Sequence, residues 1–485
     1  MNESRNIPHA EADDGPAANR VCRACIGEPY LSELVTRTGK VAGCFYCSAE
    51  TESITLKQLA DHIERAFDEH YYRTPTNPDA FEAAMQADSG AEYHWERQGE
   101  EVLRAIADAA VISDAVATDV LSVLEARHAD RESAEMGDER PFAADSYYAE
   151  KDPGCEEFTT SWKEFVDNIQ TKARFFSRST KKVLDEVFAD LATLMTAGGN
   201  PVVVTICPNT DIKCLYRARV FAGEDEELKT ATQLPWKHLG PPPMAAASAG
   251  RMNARGISVF YGALDAETAL AEVRPPVGSR VAVAKFAVER SLRLVDVGAL
   301  SSVRISGSIF DSAFLRQLQR ARFLSILSEQ ISRPVMPNDE AFDYLPTQAV
   351  AEYLENEVGL DGIIFPSVQV GYSSSNVVLF HRASRVQEIQ VPHGTELSNC
   401  LESRNSDGVS PDYRVLEEVT LSSKAVAATG RPTLDSVSED ADSRTPSLKI
   451  DLCGIDVHHV TAARFKTESH SVHRQHLGGH QASAF

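Results

Sequence analysis

Gly198-Gly199-Asn200-Pro201-Val202-Val203-Val204-Thr205-Ile206-Cys207 divides the chain into two textures. Two glycines, an asparagine and a proline stop any helix arriving from the N-terminal side, and the β-branched run after them predicts a strand. Upstream, apolar residues recur at spacings of three and four. Leu56, Leu59, Ile63 and Phe67 predict a helix over Thr55–Tyr72, and further helices are expected over Glu101–Arg127, Thr160–Phe176 and Thr180–Thr196. Downstream, strands are expected at Lys213–Val220, Val259–Gly262, Arg280–Val288, Ile363–Phe365 and Asn376–His381. Helices at Ala266–Val273, Ser308–Ser332 and Pro346–Val358 fall between them. The fold class is therefore α+β: an all-α N-terminal half behind a cysteine module, followed by a mixed domain.

Composition and punctuation extend this plan to the whole chain. Residues 1–20 read as a disordered tail, 21–50 as the cysteine module and 51–198 as the helical domain, interrupted by a charged loop at 129–157. Residues 199–391 form the mixed domain, 392–447 a polar linker, 448–466 a strand pair and 467–485 a second disordered tail. At 485 residues more than one core is expected. No apolar run approaches the ~20 residues that span a bilayer. The N-terminus also lacks a hydrophobic signal segment, so the expected location is the cytoplasm. A net charge of −23 argues against nucleic acid as the main partner, because a duplex binder needs surplus Lys and Arg. The chain has no Walker A, GxGxxG, HExxH or GxSxG sequence, which removes the usual anchors of kinase, Rossmann, metalloprotease and α/β-hydrolase readings.

Nine cysteines are present, and four of them form Cys22-x2-Cys25 and Cys44-x2-Cys47. Paired CxxC knuckles at ribbon spacing supply four thiolates, the full tetrahedral shell of zinc. With no open position the metal would be structural, holding a segment too short to build its own core. The other five cysteines read as simple thiols in a reducing compartment.

The mixed domain carries an ordered series of motifs. It runs through Leu215-Tyr216-Arg217-Ala218-Arg219, Gly250-Arg251-Met252-Asn253, Val259-Phe260-Tyr261 and Leu264-Asp265 through Glu272-Val273-Arg274-Pro275. It closes with Asp361-Gly362-Ile363-Ile364-Phe365-Pro366-Ser367 and Ser375-Asn376-Val377-Val378-Leu379-Phe380. This series resembles the RES family, NAD-consuming toxins with an ADP-ribosyltransferase-like fold. The cysteine-rich helical segment upstream and Tyr344–Gln348 resemble the longer RES proteins with a HEPN-like N-terminal domain. Ser373-Ser374-Ser375 stands where glycines are expected before Asn376, which leaves open which serine between 367 and 375 is functional.

The resemblance implies that NAD is the substrate and that its nicotinamide–ribose bond is cleaved by phosphorolysis or hydrolysis. Arg217 and Arg251 would grip the pyrophosphate through bidentate, charge-assisted hydrogen bonds. Tyr261 would stack on nicotinamide or orient a ribose hydroxyl. Glu272, with Asp265 capping its helix, would face the oxocarbenium-like ribosyl group as a fixed negative charge. Ser367 would hold the ribose or an attacking anion, with Asn376 supporting its loop. Implied partners are inorganic phosphate, an antitoxin protein and a second copy of the chain. Two other readings stand beside this one: a mono-ADP-ribosyltransferase acting on a macromolecule, and a non-catalytic protein that senses NAD or binds RNA or a partner. Arg65-x4-His70 matches a HEPN ribonuclease motif but reads as a solvated helix face. His458, His459, His470, His473, His476 and His480 read as a tail able to bind metal only adventitiously.

Overall fold

The computed structural model describes residues 15–87, 94–129, 139–174, 177–223, 225–333, 336, 339–392, 395–405, 408–419, 442–464 and 466–474. The predicted break is present: Gly199 takes φ +78°, a conformation glycine adopts without steric cost, and a unit boundary follows at Pro201/Val202. One unit comprises residues up to Pro201 together with Ala299–Glu329. The other comprises Val202–Gly298 and residues from Gln330 onward.

In the first unit the cysteine module is a three-stranded antiparallel sheet with Glu50–Thr55 between Arg20–Cys22 and Lys40–Gly43. The helix Pro29–Thr38 sits between the two CxxC pairs in sequence. The helix Leu56–His70 starts at a reciprocal capping box between Thr55 and Gln58, and buries the predicted Leu59, Ile63 and Phe67. The single helix expected over Glu101–Arg127 is two, Val102–Ala110 and Asp114–Arg127, because Val111 turns to φ +50°. The expected all-α character also needs correction. Tyr147–Glu150, inside the predicted loop, pairs with both Tyr71–Arg73 and Glu100–Glu101. These strands are too short to show a period-two pattern, and they form because Phe67 packs its ring on Tyr71 at 4.5 Å and on Tyr148 at 5.2 Å.

Ala299–Glu329 was expected in the mixed domain but belongs to the first unit. Phe323 packs on Phe158 and Trp162, with ring centroids 5.9 and 5.7 Å away, and Arg316 pairs with Glu157 and Glu186. Aromatic burial of this kind outweighs sequence adjacency.

The second unit is built on an eight-stranded sheet. Its order is Leu448–His459, Arg280–Val288, Cys214–Phe221, Phe260–Ala263, Ser375–Leu379, Gly362–Pro366, Leu292–Asp296 and Val203–Ile206. All pairings are antiparallel except that of Leu292–Asp296 with Gly362–Pro366. Leu215, Phe260, Phe286, Leu294, Ile364, Val377 and Leu379 fill one core cluster. The predicted linker at 392–447 includes a hairpin, Thr395–Asn405 with Gly408–Val419. Side-chain amides hold this hairpin to the helix Asp225–Gln233: Asn399 donates to Lys229 O and Gln233 donates to Leu397 O. The expected strand pair at 448–466 is one edge strand, Leu448–His459. Residues 1–14 and 475–485 of the two predicted tails lie outside the described residues. No described helix is long and apolar enough to cross a membrane.

Candidate functional site

A cleft of about 510 Å³ opens in the second unit, lined by Arg217, Arg251, Tyr261, Glu272, Arg274, Tyr344 and Asn376 among others. Its carboxylate is positioned by a short helix. Asp265 accepts from the Thr268 amide at 2.8 Å and caps Ala266–Glu272, which leaves Glu272 at the helix end facing the cleft. Burial acts to raise Asp265, but donors including Ser374 and Thr268 outweigh it and hold the group below the ordinary aspartate range.

Glu272 Oε1 accepts from Ser367 Oγ at 2.5 Å and from Asn376 Nδ2 at 2.8 Å. Ser367 is fully buried and Asn376 nearly so. Of the serines between 367 and 375, Ser367 therefore meets the carboxylate, while Ser374 donates to Asp265. In this structure the Ser367 hydroxyl is directed at Glu272. Asn376 Nδ2 donates to the carboxylate directly. Both donate to one carboxylate oxygen, and Oε2 accepts no bond from the described residues.

The two predicted arginines have partners already. Arg217 Nη1 donates to Tyr261 O at 2.6 Å, and the guanidinium lies 5.7 Å from the Phe260 ring centroid. Burial, helped by Arg219, brings it down to about 10, so it stays charged at neutral pH. Arg251 donates through Nη1 to Ile331 O at 2.6 Å and through Nη2 to Arg333 O at 2.7 Å. These carbonyls lie where the helix Phe314–Ser332 ends, a site that favours a cation. The expected pyrophosphate grip by Arg251 therefore meets a guanidinium whose two terminal nitrogens are engaged. The residues of the Tyr344–Gln348 motif complete this latch: Thr347 Oγ1 donates to Arg251 O at 2.6 Å and Gln348 Nε2 to Gly250 O at 2.8 Å.

Tyr261 donates to Asn253 Oδ1 and accepts from the Met252 amide, both at 2.9 Å. Burial pushes its hydroxyl up to about 12. The hydroxyl is thus satisfied within the protein, which leaves ring contact as its route to a ligand. Gly250 is required by this arrangement, since a Cβ there would stand 2.6 Å from Tyr261 Oη and 2.7 Å from Asn253 Oδ1.

Arg274 was quoted in the sequence motif without a role, yet it lines the same cleft two residues beyond Glu272. Its backbone takes φ +44°, which costs a non-glycine residue about 1–2 kcal/mol. With the Gln369 amide oxygen turned toward it, Arg274 donates from Nε at 3.2 Å and Nη2 at 2.8 Å. The EVRP sequence gives a cue to the turn, in the two prolines that follow, but none to the direction of the guanidinium.

In the first unit the sulfurs of Cys22, Cys25, Cys44 and Cys47 all lie within 4.8 Å of one another, with close pairs at 3.5–3.8 Å. A zinc ion with sulfur ligands at ~2.3 Å in a tetrahedron requires sulfur–sulfur edges of about 3.8 Å, so the four side chains fit that ion. Burial acts to raise Cys44, and the amides of Cys47, Tyr46 and Cys22 outweigh it, bringing the thiol to about 7. No other described group of three or more His, Cys, Asp or Glu could hold a metal. His458 and His459 lie on the edge strand, and His476 and His480 are outside the described residues.

Arg65 and His70 do not converge. Five residues along a helix turn by about 140°. Arg65 meets His62 Nδ1 at 3.1 Å, whereas His70 is 7% exposed and its Nε2 has no partner.

On this mixed sheet one cleft is lined by the Glu272 carboxylate and by the guanidinium groups of Arg217, Arg251 and Arg274. Residues 215–399 match the RES domain family, and residues 37–183 match HEPN/RES N-terminal domain 1. The chain thus contains a stretch that matches the RES domain and, before it, one that matches the HEPN/RES N-terminal domain. Among solved structures it is similar to the crystal structure of the M. tuberculosis MbcT–MbcA toxin–antitoxin complex. The identity is 11%, the match covers 49% of this chain and 91% of that one, and the TM-score is 0.22. No curated protein matches.

Proposed function

We propose that this protein consumes NAD by breaking its nicotinamide–ribose bond in the cleft around Glu272. The observation that carries the reading is the Glu272 carboxylate, held on one oxygen by Ser367 and Asn376, with no described residue donating to the other. Bond cleavage sends the C1′–N electron pair to the pyridinium nitrogen, so nicotinamide leaves neutral without a proton. Positive charge then develops on the ribosyl carbon and ring oxygen. A carboxylate whose position is fixed in advance stabilises that charge without reorganising. The ribosyl carbon is captured by an oxygen of phosphate or water, and phosphate is the acceptor the RES resemblance favours.

The four cysteines bind one structural zinc. Cys22, Cys25, Cys44 and Cys47 hold it, and its contribution is to the fold of the first unit. The biological setting proposed is a toxin restrained by an antitoxin partner.

The test is to incubate the purified chain with NAD, with and without phosphate, and identify the products. Free nicotinamide with a phosphorylated ADP-ribose, formed faster as phosphate is added, is the expected result. ADP-ribose at a phosphate-independent rate would make the protein a hydrolase. Label from the adenylate half appearing on a macromolecule would make it a transferase. Intact NAD under every condition would overturn the reading.

A further inference from the structure

We propose that Arg274, in place of Arg217 or Arg251, is the residue that binds the phosphoryl oxygens of the substrate, with Gln369 holding the guanidinium ready until the anion arrives. This rests on the reading of the cleft as an NAD site.

The argument is one of hydrogen-bond capacity. A guanidinium has five N–H donors, and a bidentate grip on a phosphoryl group uses two on one edge. Arg251 has one donor of each terminal nitrogen committed to a carbonyl, at Ile331 and Arg333, and its burial makes any rearrangement costly. Arg217 is half-buried beside Phe260 and tied to Tyr261 O. Arg274 is solvent-exposed, and among the described residues its guanidinium meets only the neutral Gln369 amide oxygen. That contact runs through Nε and Nη2, the side-on edge a phosphoryl group would use. Replacing a neutral acceptor by a charged one strengthens both bonds. Gln369 is also exposed, so it can leave for water without stranding a buried amide.

Placement and charge agree with this. Arg274 follows Glu272 by two residues, in a turn fixed by its positive φ and by Pro275 and Pro276. The carboxylate and the guanidinium both line the cleft, as a ligand with a cationic ring at one end and a pyrophosphate further along requires. Arg274 is also close enough to act electrostatically on Arg251 and Tyr344, which line the same cleft.

The experiment compares the unsubstituted chain with Arg274→Ala and Arg274→Lys. Steady-state NAD turnover is measured alongside equilibrium binding of ADP-ribose, inorganic pyrophosphate, inorganic phosphate and nicotinamide riboside, which has no phosphate. Losing charge-assisted bonds to a phosphoryl group should raise the NAD KM and the ADP-ribose and pyrophosphate Kd about ten- to a hundredfold in Arg274→Ala. The value of kcat should stay within a few fold, nicotinamide riboside binding should be unchanged, and Arg274→Lys should recover part of the loss. If Arg274→Ala weakens inorganic phosphate and pyrophosphate but leaves the NAD KM unchanged, the phosphoryl group bound is the acceptor, and the assignment to the substrate is overturned. Equal losses for ADP-ribose and nicotinamide riboside would show a structural role and also overturn it. A protein that ignores NAD refutes the reading of the cleft. Arg274-dependent pyrophosphate binding in that same protein would still uphold the anion site, and Arg274-independent binding would sink it.

Discussion

Cys22, Cys25, Cys44 and Cys47 come from one short stretch of chain, whereas Glu272 meets Ser367 across 95 residues and Asn376 across 104. The first constellation has four identical thiols whose spacing alone states their geometry. The second joins three residue types with no spacing rule, and only the sheet brings them together: Asn376 pairs with Ala263, the strand residue just before the capped helix of Glu272. A local site survives in the sequence as a pattern. A tertiary site survives as residue identities without partners, and its partners decide its chemistry.

The largest effect expected follows from this contrast. Cys44→Ser with Cys47→Ser should abolish a zinc content of one per chain and destabilise the first unit by several kcal/mol, because metal binding is folding energy in such modules. NAD turnover by the cleft should persist. Metal analysis and thermal unfolding measure the first two outcomes. A chain purified without chelator and free of zinc would break the comparison at its local end.

At the tertiary end, Glu272→Gln should lower kcat by ~10²–10³, since one fixed charge facing the transition state is removed while size and hydrogen bonding are kept. The Kd for ADP-ribose should change little. Unaltered turnover would mean that the carboxylate has no part in the chemistry. Ser367→Ala is expected to have a smaller effect, about tenfold in kcat. It removes one of two donors from Oε1 and leaves the charge in place. An effect of Ser367→Ala as large as that of Glu272→Gln would show Ser367 touching substrate, the role its sequence position suggests.

Which parts were legible follows the same division. The strand Arg280–Val288 is found at its predicted limits, and the helix Ala266–Glu272 within one residue of them. Both rest on local signals, a β-branched run and a capping aspartate. The arginines were legible as a set and not as individuals. Arg217 and Arg251 lie in the quoted motifs and reach the cleft, but the carbonyls that engage them, Tyr261, Ile331 and Arg333, are set by tertiary structure. The hairpin Thr395–Val419 was missed because neither strand shows a clean apolar alternation, and it is held by the amides of Asn399 and Gln233. The transfer of Ala299–Glu329 to the first unit was missed for a related reason, since Phe323 announces neither Phe158 nor Trp162.

His70 supplies the smallest effect and a test within the first unit. Arg65-x4-His70 matches a ribonuclease motif and reads in sequence as a solvated helix face, but the structure buries the imidazole against the Phe314 ring, with centroids 5.9 Å apart and Nε2 unpartnered. Burial lowers its pKa from the ordinary 6.5, and Glu69 and Glu150 oppose this only in part. A histidine depressed in the folded state binds its proton more readily when unfolded. Its contribution is therefore fully present above about pH 6.5 and is lost as pH falls through that value toward the folded pKa, by at most about 1.4 kcal/mol per pH unit. His70→Phe keeps the ring packing and removes the titrating nitrogen. The melting temperature of the unsubstituted chain should fall more steeply between pH 7 and 5.5 than that of His70→Phe. The difference between the two curves isolates His70 from His62 and His238, whose pKa values burial also lowers. Parallel curves would mean that His70 is protonated without cost in the folded chain, and the motif would then regain a claim to chemistry.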